Sequence, residues 1–195
     1  MKKHRLHSNA SSEPPAKKGH WALGLVDSMK DPELLVEDDD KVVVIKDKFP
    51  KAEFHYLVLP KEDIPSILTV RKEHEDLLKH MESVGTNLAA KHPHREFQLG
   101  YHSVPNMQRL HLHVISTDFN STCLKTKVHW NSYTSPFFRS SQDIRRELNE
   151  NGKIKKMSCE ECDAYLKGPL KCHKCSTIPK NMPDLKRHIL SHIKN

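Results

Sequence analysis

The sequence predicts an α+β fold, a mainly antiparallel sheet flanked by helices, with a small C2H2 zinc-finger module at its C-terminal end. Three observations carry this expectation. Short β-rich segments separated by turn residues dominate the first half of the chain. Arg71 to Lys91 carries apolar residues at helical spacing, and Cys172-x2-Cys175-x12-His188-x3-His192 has the spacing of a tetrahedral zinc site.

Residues 1–18 are basic and polar with a Pro pair and read as a disordered arm; residues 19–152 form the predicted main domain and 153–195 the finger module, packed on or near it. Trp21, Leu25 and Met29 fall at helical spacing and predict an opening helix. Leu34 to Val36 and Val42 to Ile45 are β-rich, and Asp38 to Asp40 between them favour a turn. Residues 52–60 give a third strand, ended by Pro60. Leu77, Leu78, Met81, Val84 and Leu88 line one face of the long helix. Strands over 97–104 and 109–116 follow, separated by a tight turn at Pro105 and Asn106. A helix from Ser141 to Asn151 closes the domain ahead of a linker beginning at Gly152.

The 195 residues hold 32 Lys+Arg against 25 Asp+Glu, a formal charge of +7. The excess is terminal: residues 1–18 carry +4 and residues 153–195 carry +6, whereas 19–152 carry −3. Either the ends seek a polyanion or they form a solubilising surface. No apolar run approaches the roughly 20 residues of a membrane span. The first residues lack the apolar stretch of a secretory signal, so an intracellular protein with no membrane partner is expected. There, five cysteines are poor disulfide candidates, and the two C-x-x-C pairs point to metal.

Chemistry concentrates in Arg109-Leu110-His111-Leu112-His113-Val114-Ile115. On a strand, His111 and His113 project to one face while Leu110, Leu112 and Val114 turn to a core. His102 on the preceding strand and His55 on another are candidates for the same face. Such imidazoles bind a metal, serve as satisfied structural groups, or act as nucleophile and donors at a phosphate. In the finger, Leu185 and Ile189 fall at helical spacing beside the ligands, and Lys174, Lys180, Lys186, Arg187 and Lys194 supply cations for a phosphate backbone. Cys159-x2-Cys162 competes, because with Cys172 and Cys175 it spells a four-cysteine ribbon; the C2H2 set is preferred. Cys123 reads as a buried or neutral thiol.

The histidine strand resembles the histidine-triad (HIT) superfamily of nucleotidyl hydrolases and transferases, whose motif is H-φ-H-φ-H-φ-φ. The likeness extends to Val43 to Ala52, His55 to Pro60, Leu99 to His102, Lys125 to Ser132 and the C-terminal finger, and is specific to the superfamily's DNA-end-repair branch. It implies a HIT-like sheet and a hydrolase that removes AMP linked 5′-5′ to DNA through a covalent adenylyl-His111. His113 and His55 are then expected to donate to phosphate oxygens, and His102 to assist the departing DNA phosphate. The implied nucleotide contacts are Asp47 on the ribose, Leu25, Met29 and Ile45 around adenine, and Lys51, Asn106 and Arg109. By residue type alone, Asp47 is equally a turn residue. The implied DNA contacts are His20, Trp21, Lys127, His129, Trp130, Ser132, Lys174, Lys186 and Arg187. Trp21 is either a wedge against a terminal base pair or core filler. Two departures stand out: Arg109 replaces the first histidine of the motif, and Val128 falls where relatives often have Lys. The resemblance further implies structural zinc, no catalytic metal, nicked or broken DNA bearing 5′-AMP as partner, AMP as product, a monomer and a nuclear location. The competing expectations are a general HIT hydrolase of small AMP conjugates and a catalytically weak zinc-finger DNA-binding protein, the latter suggested by Arg109.

Overall fold

A computed structural model of the chain describes residues 24–193. The arm at 1–18, His20 and Trp21 lie outside the described residues. The predicted antiparallel α+β architecture is present as one six-stranded sheet of order β1-β2-β3-β5-β4-β6. Its strands are β1 (Leu35–Asp38), β2 (Val42–Lys46), β3 (His55–Pro60), β4 (Phe97–His102), β5 (Leu112–Ser116) and β6 (Phe138–Ser140). The helices are α1 (Gly24–Ser28), α2 (Glu75–Ala90), α3 (Lys127–Thr134), α4 (Ser141–Asn151), α5 (Cys159–Leu166) and α6 (Met182–Ile189). Asp39 turns the chain between β1 and β2, its carboxylate accepting from Lys41 N and Val42 N, both at 2.7 Å. Gly152, at φ 71, caps α4 in the left-handed conformation that glycine adopts without penalty.

Strand alternation sorts the sheet's two faces. Val42, Val44, Val58, Leu112 and Val114 point to one side, where Leu78, Met81 and Leu88 of α2 and Ile144 and Leu148 of α4 cover them. Both helices bring an amphipathic stripe to this layer. The opposite face carries two smaller apolar clusters. Leu25 of α1 sits with Val43, Ile45, Leu57 and Leu59, and Met29 packs against them. Ile115 sits with Phe119, Leu124, Trp130 and Tyr133, joined by Leu170, Leu185 and Ile189. The finger is therefore packed on the sheet domain through a shared core.

Three sequence expectations change. The strand expected from residue 109 begins at Leu112, because Arg109 adopts φ 93, outside extended backbone. Arg109 N and Leu110 N instead donate to Pro65 O (2.9 Å) and Ile64 O (2.7 Å). The tight turn between the two strands is a loop over 103–111. The long helix starts at Glu75, preceded by a 3-10 turn at Lys72–His74.

Candidate active site

Register places the four histidines. β3 pairs β5 with Leu57 opposite His113 and His55 opposite Ile115, and β4 pairs β5 with Gly100 opposite His113. Residues two apart on a strand share a face, so His55, His113 and His102 converge. His111 precedes β5 yet keeps the face of His113, with ring centroids 4.8 Å apart. His102 lies 4.6 Å and His55 5.2 Å from His113, centroid to centroid. Tyr133 of α3 stands edge-on to His55 and His113 at 5.5 and 5.4 Å. Gly100 permits this crowding, since a Cβ there would lie 2.6 Å from Phe138 Cε1.

Hydrogen bonds assign the tautomers. Lys51 N–H donates to His55 Nδ1 at 3.1 Å, so His55 carries its proton on Nε2 and donates to His113 Nδ1 at 3.0 Å. His113 then carries its own proton on Nε2, which is buried and without a protein partner. His111 Nδ1–H donates to the Arg109 carbonyl at 2.8 Å, which leaves Nε2 as a lone pair. His102 Nε2 is likewise buried and unpartnered. Among the three histidines whose tautomers these bonds assign, His111 presents a free lone pair and His113 a free N–H.

Burial keeps these rings neutral. It pulls His55 down to about 4 despite the opposing pull of Asp47, and His102 down to about 3. His113 is held well below the usual histidine range by burial and by its imidazole neighbours. His111 is lowered too, but the Arg109 carbonyl and Asp47 counteract its burial. Asp47 Oδ2 lies 3.4 Å from His55 Nδ1. With His55 neutral and that nitrogen already accepting from Lys51, this is not an ion pair.

Neutral buried histidines link stability to pH. The unfolded chain, with histidines titrating near 6.5, binds more protons than the fold below that pH. Stability is therefore full above about pH 6.5 and falls as pH drops toward the folded values near 4 and 3. Thermal melts from about pH 7.5 to about pH 5 should show Tm declining below 6.5. A Tm flat across that range contradicts a neutral buried cluster.

The other expected residues divide. Leu25, Met29 and Ile45 do meet in one apolar cluster. Asp47 acts as a turn residue through Oδ1, which accepts from Phe49 N at 2.7 Å, while Lys51 Nζ donates to Phe49 O. Asn106 is exposed in the loop before Arg109. Four expectations are corrected. His55 cannot donate to a phosphate, because both its ring nitrogens are engaged within the protein. Arg109 does not face the histidines: its guanidinium binds Pro60 O, Lys61 O and Asp63. Trp130 is no DNA-facing residue, being fully buried with Nε1 donating to Lys171 O at 2.9 Å. Ser132 is buried as well, its hydroxyl donating to His129 O. Of the expected cations, Lys127 donates to Lys167 O, Lys174 pairs with Glu96, Lys186 donates to Ser121 O, and Arg187, its side chain 74% exposed, pairs with Asp184 at 3.2 Å. His129 is half-buried, Nδ1 accepting from Lys125 N at 3.3 Å. Sequence reasoning missed Tyr133 and Asn131, whose Nδ2 donates to Leu166 O and Gly168 O. Both sit on α3, whose N-cap, Thr126 accepting from His129 N, was a readable signal.

Cys172, Cys175, His188 and His192 gather with their ligand atoms within 4.8 Å of one another. Cys172 Sγ–His192 Nε2, Cys175 Sγ–His188 Nε2 and the two Nε2 atoms are separated by 3.3, 3.2 and 3.2 Å. Zinc bonds of about 2.0 to 2.3 Å in a tetrahedron space their ligands by roughly 3.3 to 3.8 Å, so the four side chains fit that ion. Four protein ligands close the coordination shell, as in a structural site. Cys159 and Cys162 lie apart on α5 and belong to no such group among the described residues, which sets the four-cysteine ribbon aside. Because the finger shares a core with the sheet, a chelator should lower the Tm of the whole chain. It should also red-shift Trp130 emission, best read in a Trp21→Phe variant that removes the second of two tryptophans.

A cluster of neutral imidazoles on one face of an antiparallel sheet, with a C2H2 finger docked against the same face, defines a histidine-triad domain joined to a zinc-finger module. Residues 20–129 match the family described as scavenger mRNA decapping enzyme C-term binding, and residues 134–195 match the C2HE / C2H2 / C2HC zinc-binding finger. The chain belongs to the aprataxin family. It is 48% identical over 178 residues to aprataxin of Danio rerio, covering 90% of this chain and 54% of that one. It is 33% identical over 161 residues to an aprataxin-like protein of Saccharomyces cerevisiae, covering 64% of this chain and 74% of that one. The chain spans about half the length of the first curated relatives it matches. Its fold is similar to the crystal structure of the aprataxin ortholog Hnt3 in complex with DNA, with TM-score 0.71 at 22% identity, covering 87% of this chain and 93% of that one. No helix among the described residues is long and apolar enough to cross a membrane.

Proposed function

We propose that this protein is a nuclear, monomeric DNA-repair hydrolase that removes AMP joined through a 5′-5′ pyrophosphate to a DNA strand, the residue of an abortive ligation. The observation that carries the proposal is the pairing of a free His111 Nε2 lone pair with a free His113 Nε2–H on one face. Family membership and the DNA complex of Hnt3 support the choice of substrate.

In the first step His111 Nε2 attacks the α-phosphorus, an N–P bond forms, and the bond to the bridging oxygen breaks so that the DNA 5′-phosphate leaves. The positive charge developing on the imidazole is met at Nδ1–H by the Arg109 carbonyl. His113 Nε2–H donates to a phosphate oxygen and His102 lies beside the departing group, both preorganised in a water-poor setting. In the second step water attacks phosphorus, the N–P bond breaks, and AMP and neutral His111 are released with a proton passing to solvent. Two displacements use one imidazole as nucleophile and leaving group. Leu25, Met29 and Ile45 hold adenine and Asp47 the ribose. Neither step calls on a catalytic metal; zinc holds the finger. Residues 19–152 act as the catalytic domain, and residues 153–195, with the basic ends, grip nicked or broken DNA.

The test compares AMP release from a 5′-adenylated nicked duplex and from a small AMP-lysine conjugate. A double variant, Lys174→Ala with Arg187→Ala, should raise KM on the duplex several-fold and flatten its salt dependence by up to about two phosphate contacts, leaving the small conjugate unaffected. Equal effects on both substrates favour a general HIT hydrolase instead.

A further inference from the structure

We infer that Arg109 is a positioning residue for His111: its guanidinium fastens the segment leaving β3, and this holds the backbone at residue 109 turned so that its carbonyl fixes the His111 tautomer. The inference rests on the proposed function only in taking His111 as the nucleophile.

The backbone at Arg109 is unusual. Its φ of 93 is a conformation that side-chain-bearing residues rarely adopt, so surrounding bonds must over-determine it. The main chain contributes two of them, Arg109 N to Pro65 O at 2.9 Å and Leu110 N to Ile64 O at 2.7 Å. The side chain supplies the rest, Nε and Nη2 donating to Pro60 O at 3.3 and 2.9 Å, and Nη2 to Lys61 O at 2.6 Å. Nη1 reaches Asp63 Oδ1 at 2.7 Å, but that carboxylate is 91% exposed while the Arg109 side chain is only 11% exposed. The ion pair is therefore weak, and the two backbone carbonyls are the fixed anchor points.

Pro60 ends β3, the strand that His55 begins. One planar guanidinium thus ties the far end of the His55 strand to the residue that accepts from His111 Nδ1–H. The histidine of the family motif at this position has no five-donor fork, and a lysine ammonium, a point donor on a flexible stem, does not reproduce the geometry. Without the clamp the turned backbone relaxes, the carbonyl moves off Nδ1, and His111 samples the tautomer whose proton sits on Nε2, which cannot attack phosphorus.

The experiment reads the tautomer directly, by nitrogen-15 NMR of the His111 ring in the zinc-loaded full chain, alongside AMP-release kinetics. The wild type should show Nδ1–H alone. Arg109→Ala should show a mixture and lose about 10- to 100-fold in kcat with KM little changed, a size typical of a misplaced reacting group. Arg109→Lys, which preserves charge and stem if the alanine variant folds poorly, should behave the same way. Asp63→Ala should leave both readouts at the wild-type level. An unmixed Nδ1–H tautomer in both Arg109 variants overturns the inference, as does an Asp63→Ala effect equal to that of Arg109→Ala. A tautomer shift in a protein that never releases AMP refutes the hydrolase and leaves the positioning role standing.

Discussion

His111→Ala should abolish AMP release from a 5′-adenylated nicked duplex, with a loss of about 1000-fold or more in kcat at nearly unchanged duplex affinity. The substitution removes the only free imidazole lone pair that the tautomer pattern leaves on this face among the histidines whose partners are known, because His55 Nδ1 and His113 Nδ1 both accept hydrogen bonds. A covalent route then has no nucleophile, whereas binding, which the proposed function assigns to the basic ends and the apolar cluster, should be untouched. His113→Ala should cost less, since it deletes a donor to the phosphate rather than the attacking atom; losing one such donor typically costs about 100- to 1000-fold. Single-turnover kinetics on both variants check the order. A His113→Ala defect exceeding that of His111→Ala reverses the assigned roles.

Trp130→Ala should be the most destabilising single change away from the histidines, at about 3 to 5 kcal/mol, the usual range for deleting a buried large aromatic. Trp130 is fully buried, packs edge-on against Phe119 with centroids 5.2 Å apart, and shares a cluster with Leu185 and Ile189 of the finger helix. Its Nε1–H also satisfies Lys171 O, one residue before the zinc ligand Cys172. The cavity would therefore open between sheet and finger, and Tyr133, which walls the histidines from the same helix, would lose support. Denaturant unfolding of Trp130→Ala and Trp130→Phe separates volume from the hydrogen bond. A loss under about 1 kcal/mol for the alanine variant, far below that range, contradicts the shared core.

Trp130 also marks where the sequence stops being readable. Its neighbours Lys127 and His129 place it in a polar segment that suits a nucleic-acid surface, and the finger residues that share its cluster, Leu170, Leu185 and Ile189, lie some 40 to 60 positions further on. Local pattern carries no trace of such a partner. Arg109 is similar: alternation reads straight through it as a strand, whereas its left-handed turn is imposed by Pro60, Lys61, Ile64 and Pro65 from another part of the chain. By contrast, the features with a short period were legible. The two-residue alternation put Leu110, Leu112 and Val114 in the core and His111 and His113 on the other face, as the clusters and ring distances bear out. The four zinc ligands needed only their spacing. Helix α5 opens with a capping box of Ser158 and Glu161, but its Cys159-x2-Cys162 pair reads by residue type as a metal knuckle rather than a helix. The role of His55 depends on which nitrogen faces His113, and that is set by cross-strand register together with the Lys51 amide, which neither residue type nor the family resemblance conveys.

The most direct test of the account is capture of the covalent intermediate. Protein is mixed with a nicked duplex labelled in the phosphorus of the adenylate, and the reaction is stopped within one turnover by an alkaline denaturing quench that preserves a phosphorus–nitrogen bond. Label is expected on the tryptic segment following Arg109, localised by fragmentation to His111, and none in His111→Ala. Label on another residue, or AMP release at the wild-type rate with no protein-bound label at any time point, contradicts it.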